Sequence, residues 1–599
     1  MEPTLFDIEE TIPTVEDRIE IAKKAITSLF LAGKTIWLSF SGGKDSGVAA
    51  SLVLTTAAHV VKTHPEVQCR VFATTSSTGV ENPEIEVHFR NELAKMKAYA
   101  KKHGFTMGTH IATPTLASSW QLKVLSGRGL PSFPGQSSDC SVDLKVRPQK
   151  TLRRKLMKQA EAKGYGEAVT ILGTRYEESE RRAMLMALRQ ENGLVPVRNS
   201  DGDLVLSIVA DWSLDHVWEY IGLVSSGLID SYTDFEETKR IYAHSAGTSC
   251  AVVADALAPK SKGASSRHCG NRHGCFTCVM AEDKSLEAMI EYDARYAYAR
   301  GLNKLNKFIR ATRYDWNRRH WIGRTIKGGY IAIEPDTYHP KMVRELFRYM
   351  VQLDHDERIR AKMSGERVMF QIFSEEIILA VDAYWSLTGL ALPFSAWADV
   401  RDITQRGIRY DIPDVETTPP QPMPATRFLY VGKEWDDSAT YPAFTGMRDA
   451  YVEGLLEMCA GAPQLTETAK GNLAWDVSAG KSFSIDLESL YMLQDIEMER
   501  MLEMHERGVG PGGITEAYKF YLRYGVIELS YSQRAEHDEI LRRTEHKHRL
   551  GLSCEYDLAK VLAMSVEFSE LPAEARKLWA GKATTESAQM PMIFWPKAA

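Results

Sequence analysis

Apolar positions early in the chain alternate between helical spacing and short continuous runs. Residues 17–32 carry apolar side chains at helical spacing, and 35–40 (TIWLSF) form the unbroken apolar run of a buried strand. The same rhythm returns as a strand at 71–75, a helix at 84–103 and a strand at 169–173. Strands that alternate with helices predict an α/β fold whose parallel sheet is covered on both faces.

The pattern changes after about residue 200, where 211–223 (DWSLDHVWEYIGL) predicts one helix and 236–285 is loop-like and rich in cysteine. Segments beyond about 340 are mostly helical, and the proline-rich stretch 411–424 is typical of a linker. We therefore predict four segments: an α/β domain (1–235), a cysteine-rich and basic/aromatic segment (236–335), a helical extension (336–410) and a mainly helical C-terminal region of unknown role (425–599).

Composition indicates a soluble globular protein, with 44% hydrophobic, 25% charged and 9% aromatic residues. The 73 basic and 79 acidic residues give a formal charge of −6, so any nucleic-acid site must be local. No window approaches the roughly 18 unbroken apolar residues of a membrane helix, and the first twenty residues are acidic where a signal peptide would be basic. We expect a cytoplasmic protein with no membrane association.

The most informative motif is Ser41-Gly42-Gly43-Lys44-Asp45-Ser46, which follows the first predicted strand and opens a helix. Two glycines allow the backbone to approach a phosphate, two serine hydroxyls can donate to it, and the helix N-terminus favours an anion. Lys44 adds a positive charge. The carboxylate of Asp45 is unfavourable near phosphates unless it binds Mg²⁺ or orients the loop. The alternative is a purely structural role, as a Gly-Gly turn with an ordinary helix cap.

A Walker A loop is excluded, because both AGK[ST] segments lack the first glycine of GxxxxGK[ST]. Ser28 and Trp475 stand at that position.

Strand-SGGKDS-helix resembles the PP-loop of the ATP pyrophosphatases, an adenine nucleotide α-hydrolase-like α/β family that includes phosphoadenylylsulfate reductases and thiouridine synthetases. Four further segments resemble its DNA-phosphorothioation branch, the DndC and SspD proteins, and Gly79 stands at a variable position of the branch's DTxVENP motif. These segments are STGVENPEI (77–85), LSGRGLPSF with DCSVDLKVRP (125–148), GTRYEESERRA (173–183) and GCFTCVMAEDKSLEAMI (274–290).

The resemblance implies an enzyme that cuts ATP between the α and β phosphates, adenylates a DNA backbone phosphate and enables sulfur to enter there. It also implies a cysteine desulfurase as sulfur donor, nicking or other DNA-modification subunits as partners, and a role in restriction-like anti-phage defence. Arg175 follows a predicted strand, where a guanidinium can hold phosphate oxygens. The expected catalytic residues are Lys44, Asp45 and Arg175, and the expected nucleotide-binding residues are Ser41, Gly42, Gly43, Ser46 and Gly173.

The cysteines Cys275 and Cys278 form a CxxC pair that can present two thiolates to one metal. The resemblance adds Cys140 and Cys250 and implies a [4Fe-4S] cluster on these four residues. Zinc is the main alternative, for which His268 and His273 can substitute as ligands, and a metal-free redox pair is the third. Cys269 is either a spare ligand or a free thiol.

Basic and aromatic residues interleave from Arg295 to Lys327, where ten Lys/Arg face one acid, Asp315. Cations that neutralise phosphates and rings that stack on bases predict a DNA surface, for which we name Arg310, Arg313, Trp316, Arg318 and Arg319. A second basic helix runs from Lys145 to Lys158. Solvated helix faces are the alternative for both.

Three other functions remain open. A phosphoadenylylsulfate or adenylylsulfate reductase would use a cysteine on a C-terminal tail, whereas the last cysteine here is Cys554. A tRNA thiolase would bind tRNA instead of DNA. A non-catalytic, nucleotide-sensing DNA-binding defence subunit would show no ATP turnover.

Overall fold

The computed structural model describes residues 13–131, 139–246, 274–280, 282–436 and 480–586, with short pieces at 446–447, 449–450, 454, 465–467 and 473–475. The chain forms two compact units, the first from 1–114 and 138–303 and the second from 115–137 and 304–599. These boundaries differ from the four consecutive segments predicted, because an early piece of the chain belongs to the second unit.

A six-stranded sheet forms the centre of the first unit, in the order β3-β2-β1-β4-β6-β5. All neighbouring strands are parallel except β5 and β6, which are antiparallel. This mainly parallel sheet confirms the predicted α/β class. The strands are β1 (Thr35–Ser39), β2 (Arg70–Ser76), β3 (Thr106–Ala112), β4 (Ala168–Ile171), β5 (Val197–Arg198) and β6 (Leu204–Leu206).

The register of β1 positions the functional loops. Leu38 of β1 pairs with Ala73 of β2 on one side and with Ile171 of β4 on the other. Because these three strands are parallel, their carboxyl ends lie at one edge of the sheet. The turn after β1 therefore lies beside the turn after β4, which begins the GTR segment at Gly173.

Helices of the first unit bury the apolar faces that the sequence pattern predicts. The helix after β1 is buried along most of its length, from Val48 to Val60, because it packs in the interior of the unit. Asn82 caps the next helix, and Gly104 ends it in the left-handed conformation at φ +80°. The helices are Val15–Leu31, Lys44–Thr63, Pro83–His103, Arg147–Ala162, Glu180–Leu188, Leu214–Ser225, Glu236–Ser245 and Lys284–Tyr292.

The segment 139–162 is a helix with a π-helical stretch at Val142–Val146. Such stretches occur often at functional sites. The part from Arg147 to Ala162 buries only Leu156, so most of its basic side chains face solvent.

The second unit combines helices with a three-stranded antiparallel sheet, in the order β7-β8-β9. Its strands are β7 (Arg319–Lys327), β8 (Tyr330–Tyr338), β9 (Arg427–Tyr430), β10 (Leu465–Glu467), β11 (Leu473–Trp475), β12 (Ser484–Ile485) and β13 (Ile527–Glu528). Its helices are Trp120–Leu125, Pro340–Ser364, Glu375–Thr388, Ser395–Thr404, Leu487–Arg507, Glu516–Arg523, Tyr531–Arg549, Leu558–Met564 and Ala573–Glu586. Helix Arg300–Ala311 contains the boundary between the units.

Residues 115–131, which precede most of the first unit in sequence, contribute to the core of the second unit. Their helix Trp120–Leu125 is almost wholly buried. Trp385 donates its indole N–H to the Leu125 carbonyl at 2.7 Å, and the Gln121 side chain donates to the Ile372 carbonyl at 3.1 Å. In the parts of the chain that the structure describes, every helix is too short or too polar to cross a bilayer.

Candidate functional site

The SGGKDS segment forms a tight turn between β1 and helix Lys44–Thr63. Gly42 adopts φ +76°, and a Cβ on it would lie 3.0 Å from the Cβ of Phe89, so glycine is required there. Ser46 closes the turn: its hydroxyl donates to the Gly43 carbonyl at 2.9 Å, accepts from the Ser41 N–H at 3.2 Å and contacts the Ser41 hydroxyl at 3.0 Å. The turn is therefore ordered by its own hydroxyl groups.

Gly173 allows the end of β4 to pack directly against this turn. A Cβ on Gly173 would lie 2.8 Å from the Asp45 carbonyl and from the Cα of Ser46. Because these neighbours are backbone atoms in a helix, they have little freedom to give way. The glycine of GTR is therefore a packing requirement of the loop, in addition to any contact with a nucleotide.

Asp45 connects the two cations predicted to be catalytic. Its Oδ1 lies 2.6 Å from Nε of Arg175, and its Oδ2 lies 2.9 Å from Nζ of Lys44. Arg175 is 4% exposed, and its Nη1 also contacts Glu177 at 3.0 Å and the Trp212 carbonyl at 3.3 Å.

This geometry differs in one respect from the expectation that the guanidinium of Arg175 holds phosphate oxygens. The protein's own carboxylates already bind Nε and Nη1, so Arg175 positions Asp45 and adds charge behind the loop. Both Asp45 oxygens are paired as well. Of the two roles open to Asp45, this arrangement favours orientation of the loop.

Tyr242 is a site residue that the sequence reasoning missed. Its hydroxyl accepts the Lys44 backbone N–H at 3.3 Å, and Nζ of Lys44 lies 5.2 Å from the centre of its ring. Helix Glu236–Ser245 carries Tyr242, and Trp218 packs edge-on against it at 5.6 Å. Burial raises the pKa of Tyr242, so the hydroxyl keeps its proton and can donate to a phosphate. Its neighbours in sequence form no motif that would have indicated this role.

A single cavity of about 1020 Å³ joins this loop to the other motif segments of the first unit. Its size is at the upper end of typical small-molecule sites, roughly 300–1,000 Å³. Seven separate stretches of sequence meet on its wall. They contribute Ser41, Gly43, Lys44 and Asp45; Glu81 and Asn82; Cys140 and Lys145; Arg175; Leu214 and Asp215; Tyr242; and Cys275 and Cys278.

An ion pair forms part of the cavity wall between the loop and the cysteines. Nζ of Lys145 lies 2.7 Å from Oε1 of Glu81, which belongs to the VENP segment. Burial raises the pKa of the Glu81 carboxyl, while Lys145 opposes that shift. Glu81 was not predicted as a site residue and Lys145 was named only in the second basic helix, although both fall within the segments that resemble the DNA-phosphorothioation branch.

Three of the four predicted metal ligands, Cys140, Cys275 and Cys278, line the cavity. Cys275 and Cys278 form a turn in which the Cys278 N–H donates to the Cys275 carbonyl at 3.0 Å. Burial raises the pKa of the Cys275 thiol to about 12, and Lys145 opposes the shift. Such a thiol stays protonated at neutral pH unless a metal displaces its proton.

The remaining candidates, Cys250, Cys269, His268 and His273, lie outside the described residues. Among the residues that are described, no three His, Cys, Asp or Glu side chains are grouped so that they could hold a metal ion. The described thiols therefore fit part of a donor set, and the choice among cluster, zinc and metal-free pair stays a prediction.

The predicted DNA surface at Arg310–Arg319 requires a correction. Arg319 is 1% exposed and stacks on Tyr338 at 4.7 Å, so it cannot contact DNA from this position. Arg318 is paired with Glu345 at 2.6 Å. The interleaved rings Phe308 and Trp321 belong to the core, because their spacing matches the buried faces of a helix and a strand.

The other residues named for that surface, Arg310, Arg313 and Trp316, are half-buried. The Trp316 carbonyl accepts from the Trp321 indole at 3.1 Å, which places this residue against the core. The basic helix from Lys145 to Lys158 differs, since most of its cations are exposed.

Comparison with known proteins gives fold-level likenesses. No protein-family model and no curated protein sequence matches the chain. One similar solved structure is an FMN adenylyltransferase of Candida glabrata in complex with FMN and the ATP analogue AMPCPP, at 9% identity and a TM-score of 0.21, over 37% of this chain and 60% of that chain. Another is the NAD+ synthetase of Burkholderia pseudomallei, at 18% identity and a TM-score of 0.24, over 47% and 88%. The functional conclusion below therefore rests on the residues of the site.

Proposed function

We propose that the chain is a PP-loop ATP pyrophosphatase that adenylates a DNA backbone phosphate so that sulfur can replace one of its oxygens. The observation that most supports this proposal is the shared cavity. The SGGKDS loop, the VENP segment, Arg175 and three cysteines are distant in sequence, yet all of them line one cavity of the first unit. These are the segments that resemble the DNA-phosphorothioation branch.

In this proposal, the β and γ phosphates of ATP lie against the SGGKDS turn at the start of helix Lys44–Thr63. The helix N-terminus, the Ser41 and Ser46 hydroxyls and Nζ of Lys44 supply hydrogen bonds and positive charge. Asp45 holds Lys44 and Arg175 in place before the nucleotide arrives. Mg²⁺ would enter with the phosphates, as it commonly does.

The proposed first step is attack by a DNA phosphate oxygen on the α-phosphorus of ATP. The bond from the α-phosphorus to the bridging oxygen breaks, and pyrophosphate leaves with the electron pair. Cations fixed beside the leaving group stabilise the charge that develops on it. The terminal sulfur of a persulfide from a cysteine desulfurase then attacks the adenylated DNA phosphate, and AMP departs with the oxygen that sulfur replaces. A thiol reductant supplies the two electrons that cleave the S–S bond and leave the phosphorothioate.

The cysteines take part in the sulfur-transfer step of the proposed reaction. Cys140, Cys250, Cys275 and Cys278 would hold a [4Fe-4S] cluster, which would supply thiolate-bound iron beside the reacting phosphate. Lys145 lies on the same wall, where Glu81 neutralises its charge in the absence of DNA.

We infer that DNA approaches along helix Arg147–Ala162 instead of along the 310–319 segment. The chain leading into this helix carries Cys140 and Lys145, which line the cavity. Farther along, Arg154, Lys155 and Lys158 are exposed and make no ion pair with any described residue. Basic side chains that extend from a cavity without ion pairs can bind successive phosphates of a nucleic-acid backbone.

The test uses protein purified without oxygen and [α-³²P]ATP, with and without DNA, with iron and acid-labile sulfide measured on the same sample. We expect AMP and pyrophosphate as products, stimulation by DNA, and about four irons per chain. The variant Cys278→Ser should lose the iron, whereas the control Cys554→Ser, in the second unit, should keep it.

Release of ADP would overturn the pyrophosphatase proposal, and zinc in place of iron would overturn the cluster. Stimulation by tRNA instead of DNA would replace the proposed substrate with the thiolase alternative. Absence of turnover with either nucleic acid would favour the nucleotide-sensing subunit.

A further inference from the structure

A groove of about 1550 Å³ lies within the second unit, away from the residues discussed above. Its walls come from four helices: Pro340–Ser364, Glu375–Thr388, Ser395–Thr404 and Leu487–Arg507. Its volume exceeds the roughly 300–1,000 Å³ of typical small-molecule sites. The groove therefore has the size for a segment of polypeptide.

Apolar side chains form the floor of the groove and extend onto its rim. Phe373 and Trp397 line it and are otherwise buried. On the rim, Tyr491 is 51% exposed, Ile496 is 70% exposed and Val368 is 45% exposed. Apolar residues that are contiguous with a groove typically mark a binding surface, whereas scattered ones do not.

The rim also carries acids that make no ion pair with a described residue, although Arg358 and Arg401 line the same groove. Asp495, Glu499 and Glu503 line the groove at successive four-residue intervals, which places them on one face of helix Leu487–Arg507. None of the three makes an ion pair with another described residue, whereas Glu506 in the next turn pairs with Arg401 at 3.0 Å. Like charges at this spacing repel each other and destabilise a helix.

The opposite wall carries acids of the same kind. Glu375 and Glu376 line the groove at the start of helix Glu375–Thr388, where the helix dipole favours them. The helix dipole explains the position of Glu375 and Glu376. It does not explain Asp495, Glu499 and Glu503, which lie in the interior of helix Leu487–Arg507. The combination of apolar floor and acidic walls is complementary to a helix with one apolar and one basic face.

We propose that this groove docks a basic amphipathic helix of a partner protein. The apolar face of that helix packs on Val368, Tyr491 and Ile496, above the buried rings of Phe373 and Trp397, and its lysines or arginines pair with the acidic walls. The helix Leu487–Arg507 has 21 residues, which corresponds to about 30 Å, so a partner helix of about 15–20 residues matches the groove. This inference is independent of ATP and of the proposed reaction.

The probe is an 18-residue peptide of leucine and lysine at helical spacing, labelled with fluorescein and titrated with the full chain while anisotropy is measured. We expect the triple substitution Asp495→Lys/Glu499→Lys/Glu503→Lys to weaken binding at least tenfold. The control changes three exposed acids outside the groove, Glu416→Lys/Glu555→Lys/Glu574→Lys, and should alter affinity less than twofold. Ile496→Ser tests the apolar rim without adding charge to the groove, and should also weaken binding.

Equal weakening by the groove and control triples would reduce the effect to general charge and overturn the proposal. Three further results would overturn it as well. If circular dichroism shows that the triple variant is misfolded, unchanged binding by Ile496→Ser decides against the groove. Self-association of the wild type that the groove triple abolishes would assign the groove to a second copy. A tenfold gain in peptide affinity on deleting 587–599 would assign it to the chain's own tail.

Discussion

At the scale of single residues, Asp45 determines where two cations stand. It lies between Lys44 and Arg175, both of which are less than a tenth exposed, so a change in its charge alters a buried network. Removing one member of a buried ion pair leaves an uncompensated charge, which costs more than the pair itself contributes.

We predict that Asp45→Asn reduces the rate of pyrophosphate release by about 100-fold, since the amide keeps the shape of the carboxylate but releases both cations. The measurement is steady-state turnover of [α-³²P]ATP at saturating nucleotide. Glu167→Gln is the control, because Glu167 also pairs with two cations, Lys34 and Arg198, but on the surface. A rate within threefold of wild type would show that Asp45 does not organise the loop.

The sequence predicted some of these residues and not others, for a physical reason. Ser41–Ser46 and Arg175 follow apolar strands, and parallel strands bring their carboxyl ends together, so local pattern was sufficient. Tyr242 contacts Lys44 across 198 residues of chain, and no local signal carries such a contact. Glu81 was overlooked and Lys145 was assigned only to a basic helix, because each is an ordinary charged residue until the fold pairs them.

At the scale of elements, local pattern indicated the strongly apolar strands and missed the weak ones. The strands β1, β2 and β4 were predicted within two residues of their observed ends. Strand β3 was missed because it is an edge strand with mostly polar, half-exposed residues, and β5 has only two residues. The aromatic residues of the run from 295 to 327 misled for the opposite reason, since rings such as Phe308 and Trp321 are as typical of a core face as of a nucleic-acid surface.

The exposed helix Arg147–Ala162 gives a prediction at this scale. Changing Arg154, Lys155 and Lys158 to Glu should weaken binding to duplex DNA at least tenfold and reduce its dependence on salt. ATP turnover without DNA should stay within twofold, because these residues do not line the cavity. The readout is fluorescence anisotropy at two or more salt concentrations.

The matched control changes Lys101 and Lys102 to Glu. These residues are exposed at the far end of helix Pro83–His103, about 30 Å from its capped start at the cavity. Equal loss of DNA affinity in both variants would mean that net charge, and not this helix, controls binding.

At the scale of the whole molecule, the assignment of 115–131 to the second unit could not be predicted from local pattern. The helix Trp120–Leu125 has the same apolar character as the helices of the first unit. Its partners, such as Trp385, lie far along the chain. Only long-range packing decides which core receives it.

Buried carboxyl groups of the second unit make its stability depend on pH. Burial raises the pKa of Asp382 to about 7, although the Ala396 N–H and the Tyr521 hydroxyl both donate to it at 2.8 Å. Between about pH 4 and 7 the folded state keeps a proton that the unfolded state releases, so this group makes the protein less stable as pH rises.

We therefore predict that wild type loses stability relative to Asp382→Asn as pH rises through this range, by at most about 1.4 kcal/mol per pH unit. Urea unfolding followed by tryptophan fluorescence at pH 5, 6 and 7 measures the difference. The exposed residue Asp414 provides the control Asp414→Asn, for which the difference should stay constant. A constant difference for Asp382→Asn would show that this carboxyl is ionised in the folded protein.

The discontinuous second unit has a consequence for the order in which the protein is made. Leu125 precedes Trp385 by 260 residues, so at about 5–20 residues per second the ribosome takes about 13–50 s to deliver the partner of the short helix. During that interval Trp120, Leu122, Val124 and Leu125 leave the exit tunnel before the core that will bury them exists. This apolar segment therefore stays unburied while the rest of the first unit is synthesised. We expect a chaperone to bind the segment during that time.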